Sequence, residues 1–299
     1  MQALILGSAA GGGVPQWNCR CPVCALAWAG DPRVAPRTQS SLAVSADGEH
    51  WLLVNAAPDL RQQIAQNAAL HPRAGLRHTP IGAVLLTNGD VDHVAGLLSL
   101  RESQAFGLFG TRQVLDGLAG NAVFDVVSPR FVERSVVRLH EAFEPVPGLT
   151  VTLFPVPGKV PLWLERGEPA IGEATEATVG AIIEAAGRRL AYIPGCALVT
   201  EAVRQQIRHA DALLFDGTVF MDDDLIRAGV GEKTGWRMGH MPMTGENGSI
   251  HALADLAIRD RIFVHLNNTN PVLVEGSDER GFVERAGWRI AYDGMKVML

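Results

Sequence analysis

Three short apolar runs constrain this chain most, because each one leads directly to a side chain able to hold a metal. Ala83–Leu86 runs into Asn88-Gly89-Asp90-Val91-Asp92-His93, Ala212–Phe215 into Asp216, and Arg261–Val264 into His265. Runs of this length and composition read as strands, and residues just past strand ends face clefts. Metal-competent residues at the ends of several separate strands are the layout expected of a cleft site.

The rest of the pattern fits around these strands. Further strands are expected at Gln2–Gly7, Ser41–Ala46, Trp51–Asn55, Leu149–Val156, Thr178–Ala185 and Arg189–Ile193, with the three runs above extending to Gly82–Thr87, Ala212–Phe215 and Arg261–His265. Each is bounded by Gly, Pro, Asn or Asp. Thr178–Ala185 and Arg189–Ile193 flank Gly187-Arg188 and read as a hairpin. Helical spacing of apolar residues predicts helices at Asp59–Asn67, His93–Gln104, Arg112–Leu118, Thr200–Arg208, Gly245–Ile258 and Asp278–Ala286, with Asp59 and Ser277 placed to cap theirs. No Pro/Gly/Ser-rich linker divides the chain, so residues 1–299 are expected to form one α/β domain with sheets face to face and helices outside.

Composition narrows the function classes. A hydrophobic content of 47% over 299 residues suits a full globular core. The net charge is −6 with no Lys/Arg cluster, which disfavours nucleic acid as a partner. No run of 18 apolar residues predicts a membrane span, and the opening MQALILG is a strand without a basic leader region. A cytoplasmic location is the expectation. Oligomeric state is unconstrained, with a homodimer one expectation.

Cys19, Cys21 and Cys24 lie within six positions, too close to pair off as disulfides. Clustered thiolates in a reducing compartment hold zinc, and Pro22 stiffens the turn between them. Residues 17–25 are therefore expected to form a structural zinc knuckle, its fourth ligand not supplied locally. Cys196 stands alone after an apolar strand and is read as core packing.

Taken alone, Asn88 to His93 would also suit a turn and a helix cap. In company with Asp216 and His265, the pattern Thr87-x-x-x-x-Asp92-His93-x-x-Gly96 resembles the metallo-β-lactamase superfamily, which implies a four-layer αββα sandwich. Further segments narrow the resemblance. Gly7-Ser8-Ala9-Ala10-Gly11-Gly12-Gly13-Val14-Pro15-Gln16-Trp17-Asn18-Cys19, Tyr192-Ile193-Pro194-Gly195-Cys196, Met238-Gly239-His240 and His265-Leu266-Asn267-Asn268-Thr269-Asn270-Pro271 are similar to the coenzyme PQQ synthesis protein B family.

The resemblance assigns Asp92, His93, Asp216 and His265 to a catalytic metal. The superfamily usually carries two further histidines where this chain has Asn88 and Asp90, and a third where it reads Pro157-Gly158-Lys159-Val160. One of the two usual metal positions is thereby lost or weakened. Two imidazoles with carboxylate oxygen suit Fe2+ in oxygen chemistry, and the same donors accept Zn2+ or Mn2+. Asp90 is an extra ligand or a partner orienting an imidazole. Asn88 is expected to donate a hydrogen bond to substrate or dioxygen. His240 is the spare acid/base. Lys159 and Arg237 are expected to hold substrate carboxylates. Counting three residues on from His265 makes Asn268 the candidate fourth zinc ligand, with water as the alternative. Asp222-Asp223-Asp224 reads as a helix N-terminal turn.

What the family resemblance implies is a role in making the redox cofactor PQQ, as an iron-dependent hydroxylase acting with dioxygen on the tyrosine ring of a Glu/Tyr-derived peptide precursor. Two rival readings stand beside it: a phosphodiester or lactone hydrolase, and a non-catalytic carrier that helps move PQQ or its precursor to the periplasm.

Overall fold

The computed structural model describes residues 1–165, 167 and 170–299. Its strands are β1 (Gln2–Gly7), β2 (Ser41–Ser45), β3 (Trp51–Val54), β4 (Ile81–Leu85), β5 (Phe106–Gly110), β6 (Val132–Val136), β7 (Ala142–Val146), β8 (Leu149–Gly158), β9 (Glu173–Ala185), β10 (Arg188–Ile193), β11 (Ala212–Asp216), β12 (Asp260–Val264), β13 (Arg289–Ile290) and β14 (Met295–Met298). They form two seven-stranded sheets, ordered β14-β1-β2-β3-β4-β5-β6 and β13-β12-β11-β10-β9-β8-β7. In each sheet the pairing changes from antiparallel to parallel partway across, at β3/β4 in the first and at β10/β11 in the second.

Burial explains the layering. Ile5, Val44, Leu52 and Leu85 face Leu153, Ile183, Leu190 and Leu214 across the space between the sheets. The alternate residues point outward, and helices cover them. Leu4, Leu53, Val84 and Leu86 pack with Leu60, Leu97 and Leu115 on one side. Ile193, Leu213, Phe215 and Phe263 pack with Val203, Ile207 and Trp288 on the other. Strands buried on both faces read as continuous apolar runs, which is why Ala212–Phe215 was legible as a strand. The result is the αββα sandwich expected from the resemblance.

The helices are α1 (Pro22–Trp28), α2 (Leu60–Gln66), α3 (Val91–Val94), α4 (Arg112–Ala119), α5 (Glu201–Ile207), α6 (Asp224–Arg227), α7 (Gly235–Met238), α8 (Ser249–Ala252) and α9 (Asp278–Arg285). Two expected helices are shorter than their periodicity suggested. The stretch expected as His93–Gln104 is only α3 followed by a 3-10 segment at Ala95–Leu100. Gly96 N donates to Ala56 O at 2.8 Å rather than back along a helix. A Cβ on Gly96 would lie 2.2 Å from Ala57 O, so the glycine permits this close approach. Gly245–Ile258 contains only α8, because Ser249 N and Ile250 N bond to Pro242 O and Met243 O in the preceding loop.

Ser277 caps α9 through Arg280 N, as expected, whereas Asp59 makes no capping bond. Its carboxylate instead accepts from the backbone and side-chain amides of Gln39. The β9–β10 hairpin is present, with its two-residue turn at Ala186-Gly187, one position earlier than expected.

Candidate metal centres

The thiol site forms where α1 begins. Cys21 is the N-cap and Pro22 opens the helix, which turns Cys24 back towards Cys19 and Cys21. The three sulfurs lie within 4.8 Å of one another and are buried. Burial pushes the Cys21 thiol up to about 12, so a thiolate there calls for a neighbouring cation. Asn268 covers the open side of the cluster, its amide nitrogen 3.2 Å from Cys19 Sγ, 3.3 Å from Cys24 Sγ and 3.7 Å from Cys21 Sγ. A half-turn of that amide would present its oxygen at the same position. Three buried sulfurs gathered in a closed site fit a structural zinc ion, with the Asn268 amide at the fourth side.

The second centre lies at the carboxyl ends of β4, β11 and β12. The loop after β4 is held by buried pairing: Asn55 Nδ2 donates to Thr87 Oγ1, Thr87 N donates to Asn55 Oδ1, and Val179 N donates to Thr87 O. His93, at the start of the following helix, is pinned by Ala56 N donating to its carbonyl. Its Nδ1 lies 2.6 Å from Asn88 Oδ1. An amide oxygen only accepts, so Nδ1 carries the hydrogen and Nε2 presents a lone pair. That Nε2 is buried and has no hydrogen-bond partner among the described residues. It lies 3.7 Å from Asp92 Oδ2, which is 3.1 Å from His265 Nε2.

Asp92, His93 and His265 thus converge, and Asp216, His240 and His265 form an adjoining group. Burial lowers the His93 pKa to about 4, keeping it a neutral ligand near pH 7. Burial opposes ionisation of Asp92 and Asp216, yet the neighbouring imidazoles hold both carboxyls below their usual range. His265 is held above its usual value against the cost of burial, by Asp92 first and then Asp216. An orphaned buried lone pair facing a carboxylate and a second imidazole fits a bound transition metal ion.

The remaining expected residues also gather here. Asp216 Oδ2 accepts from Cys196 N at 2.8 Å and lies 2.7 Å from His240 Nδ1. Cys196 is packed in the core as expected, while its backbone also serves the site. Asn88 directs its oxygen to His93 and to Asp90 N. Asp90 lines the cleft with its carboxyl raised by burial and by Asp92. It accepts from Leu162 N and makes no hydrogen bond to an imidazole. Lys159 and Arg237 line the same cleft of about 230 Å³, joined through Glu165 at 2.8 Å and 3.2 Å. Arg237 Nη1 is buried without a partner among the described residues. Asp223 and Asp224 do open a short helix, α6. Sequence reasoning missed Thr218, Glu165 and Lys233. The first was the most findable, two residues after Asp216 at the same strand end.

Two facing mixed sheets with acids and imidazoles gathered at one end, and a match of residues 50–266 to the family model described as "Beta-lactamase superfamily domain", define a protein of metallo-β-lactamase fold. A diphosphatase of the PhnP family shares that fold at 22% identity and TM-score 0.71, over 99% of this chain and 97% of its own. Much nearer relatives carry the name coenzyme PQQ synthesis protein B. One from Methylobacterium nodulans is 71% identical over the whole of both chains, and one from Rhizobium meliloti is 55% identical over 100% of this chain and 98% of its own. A crystal structure of Zn2+-bound PqqB from Methylobacterium extorquens superposes with a TM-score of 0.99 at 66% identity, covering all of both chains. The chain belongs to the coenzyme PQQ synthesis protein B family.

Proposed function

We propose that this chain serves in the biosynthesis of pyrroloquinoline quinone as a metal-dependent hydroxylase, acting with dioxygen on the tyrosine ring of a Glu/Tyr-derived peptide precursor. The names of its relatives support the pathway. The observation that carries the metal-dependent chemistry is the orphaned His93 Nε2 facing Asp92 and His265. Asn88 and Asp90 stand where a dinuclear zinc hydrolase would have imidazoles, and this favours a single redox-active ion over paired hydrolytic zinc.

Asp92, His93, Asp216 and His265 are the residues that would hold Fe2+. When bound, the ion supplies a redox centre with positions open to dioxygen. The chain's own residues do the rest. Asp216 takes the hydrogen of His240 Nδ1, which leaves Nε2 of His240 to exchange a proton with the phenol. Lys159 and Arg237 bind substrate carboxylates at the cleft rim. Hydroxylation places one oxygen atom of dioxygen in a ring C–H bond. The other leaves as water, with two electrons and two protons from an external reductant.

The test loads metal-stripped protein with Fe2+ under anaerobic conditions and supplies a Glu–Tyr peptide, ascorbate and dioxygen. A gain of one oxygen atom on the peptide is expected by mass spectrometry, and His93→Ala should abolish it. Zn2+-dependent cleavage of a phosphodiester without oxygen gain would mark a hydrolase. Tight binding of PQQ without either reaction would mark a carrier.

A further inference from the structure

Thr218 is buried, and its single hydroxyl sits among four partners. Oγ1 lies 2.7 Å from Asp216 Oδ1, 2.8 Å from His265 Nδ1, 3.0 Å from His240 Nδ1 and 3.0 Å from the His265 carbonyl. The Thr218 backbone N–H also donates to Asp216 Oδ1 at 3.0 Å. A hydroxyl has one hydrogen and two lone pairs. Carboxylate and carbonyl oxygens only accept, so the hydroxyl hydrogen goes to one of them. The charged carboxylate at the shortest distance is the stronger acceptor. A lone pair then faces His265 Nδ1, which must carry a hydrogen to bond there, while the His240 Nδ1 hydrogen goes to Asp216 Oδ2 at 2.7 Å.

Thr218 itself is fixed from behind. Its carbonyl accepts from Asn267 N, and the adjoining Gly217 carbonyl accepts from Asn270 Nδ2. His265 has φ +57, in the left-handed region that L residues rarely adopt. The Thr218 hydroxyl contacts that residue at both its ring and its carbonyl, on the strained turn itself.

We infer that Thr218 is the positioning residue of the metal centre: its hydroxyl sets the Nδ1–H tautomer and ring orientation of His265, which turns His265 Nε2 towards Asp92 and His93. The inference rests on the location of the metal centre and holds whichever reaction that centre performs. Its test is separate from turnover. Co2+ serves as a spectroscopic probe, its affinity measured by chelator competition and followed in the visible ligand-field bands.

Thr218→Val keeps shape and removes the hydroxyl, and should weaken Co2+ binding at the active site by about 10–100-fold. The thiolate-to-cobalt absorption of the cysteine site should be unchanged. Thr218→Ser should stay within about threefold of the native affinity, because it keeps the hydroxyl. A valine variant that binds as tightly as the native chain, or a serine variant no better than valine, overturns the inference. Should the valine variant fail to fold, 15N imidazole shifts of the native zinc-loaded protein decide. A hydrogen on Nδ1 of His265 is expected, and a bare Nδ1 on that ring overturns the assignment.

Discussion

At the residue scale, Asn88 shows how the place of a side chain is legible in sequence while its partners are not. Its place in the loop is legible from the strand before it, and its role as a donor to substrate followed from its polarity. The fold turns its oxygen to His93 Nδ1, 2.6 Å away, a contact between residues five positions apart that the sequence does not report, and its amide nitrogen remains the group able to donate. Asp224 opens α6 as its sequence suggests, and it is also buried and accepts from Phe220 N and Met221 N, so that burial raises its pKa to about 6.

A folded pKa above the unfolded one, about 3.9, means that this group's contribution to stability is whole below pH 4 and is lost as pH rises through 6. The loss reaches up to about 3 kcal/mol. Urea denaturation of the native chain and Asp224→Asn should therefore show the native chain losing ground to the variant between pH 4 and pH 7. Parallel pH curves would refute the assignment.

At the scale of elements, strands buried on both faces were readable and strands at the sheet margins were not. β6 reads VERSV and β13 has two residues, so neither carries a continuous apolar run. β5, FGLFG, hides its strand behind two glycines. α1 was missed because its sequence was read for thiols, although Pro22 stands at its first turn. The two overlong helix expectations failed where backbone donors were captured by neighbouring segments, which a period of apolar residues does not report.

The β9–β10 turn offers a direct test of local backbone reasoning. Ala186 and Gly187 have φ of +50 and +74, the twist of a type I′ hairpin, which favours Asn-Gly. Alanine in a left-handed conformation costs about 1 kcal/mol or more. Ala186→Asn should therefore raise stability by roughly 0.5–1 kcal/mol in chemical denaturation, without altering metal content.

At the scale of the whole molecule, the cysteine site joins segments that are remote in sequence. Cys19 and the amide of Asn268 are separated by 249 positions and meet at 3.2 Å. Cys24→Ser should lose about one zinc per chain by elemental analysis and lower the thermal midpoint by several degrees, since structural zinc contributes folding energy directly. Retention of full zinc content would show that the ion is held elsewhere. The sandwich as a whole was legible only through its motifs: pattern alone suggested facing sheets and outer helices, and the order of fourteen strands depends on contacts between distant segments.

His265 and Asn268 stand three places apart on one short turn, one facing Asp92 in the cleft and the other roofing the thiols. Emptying the sulfur pocket would release the far end of that turn and with it the seat of an imidazole. Occupancy of one pocket is therefore expected to steady the other, and protein starved of zinc should hold a metal at the distant cleft less tightly.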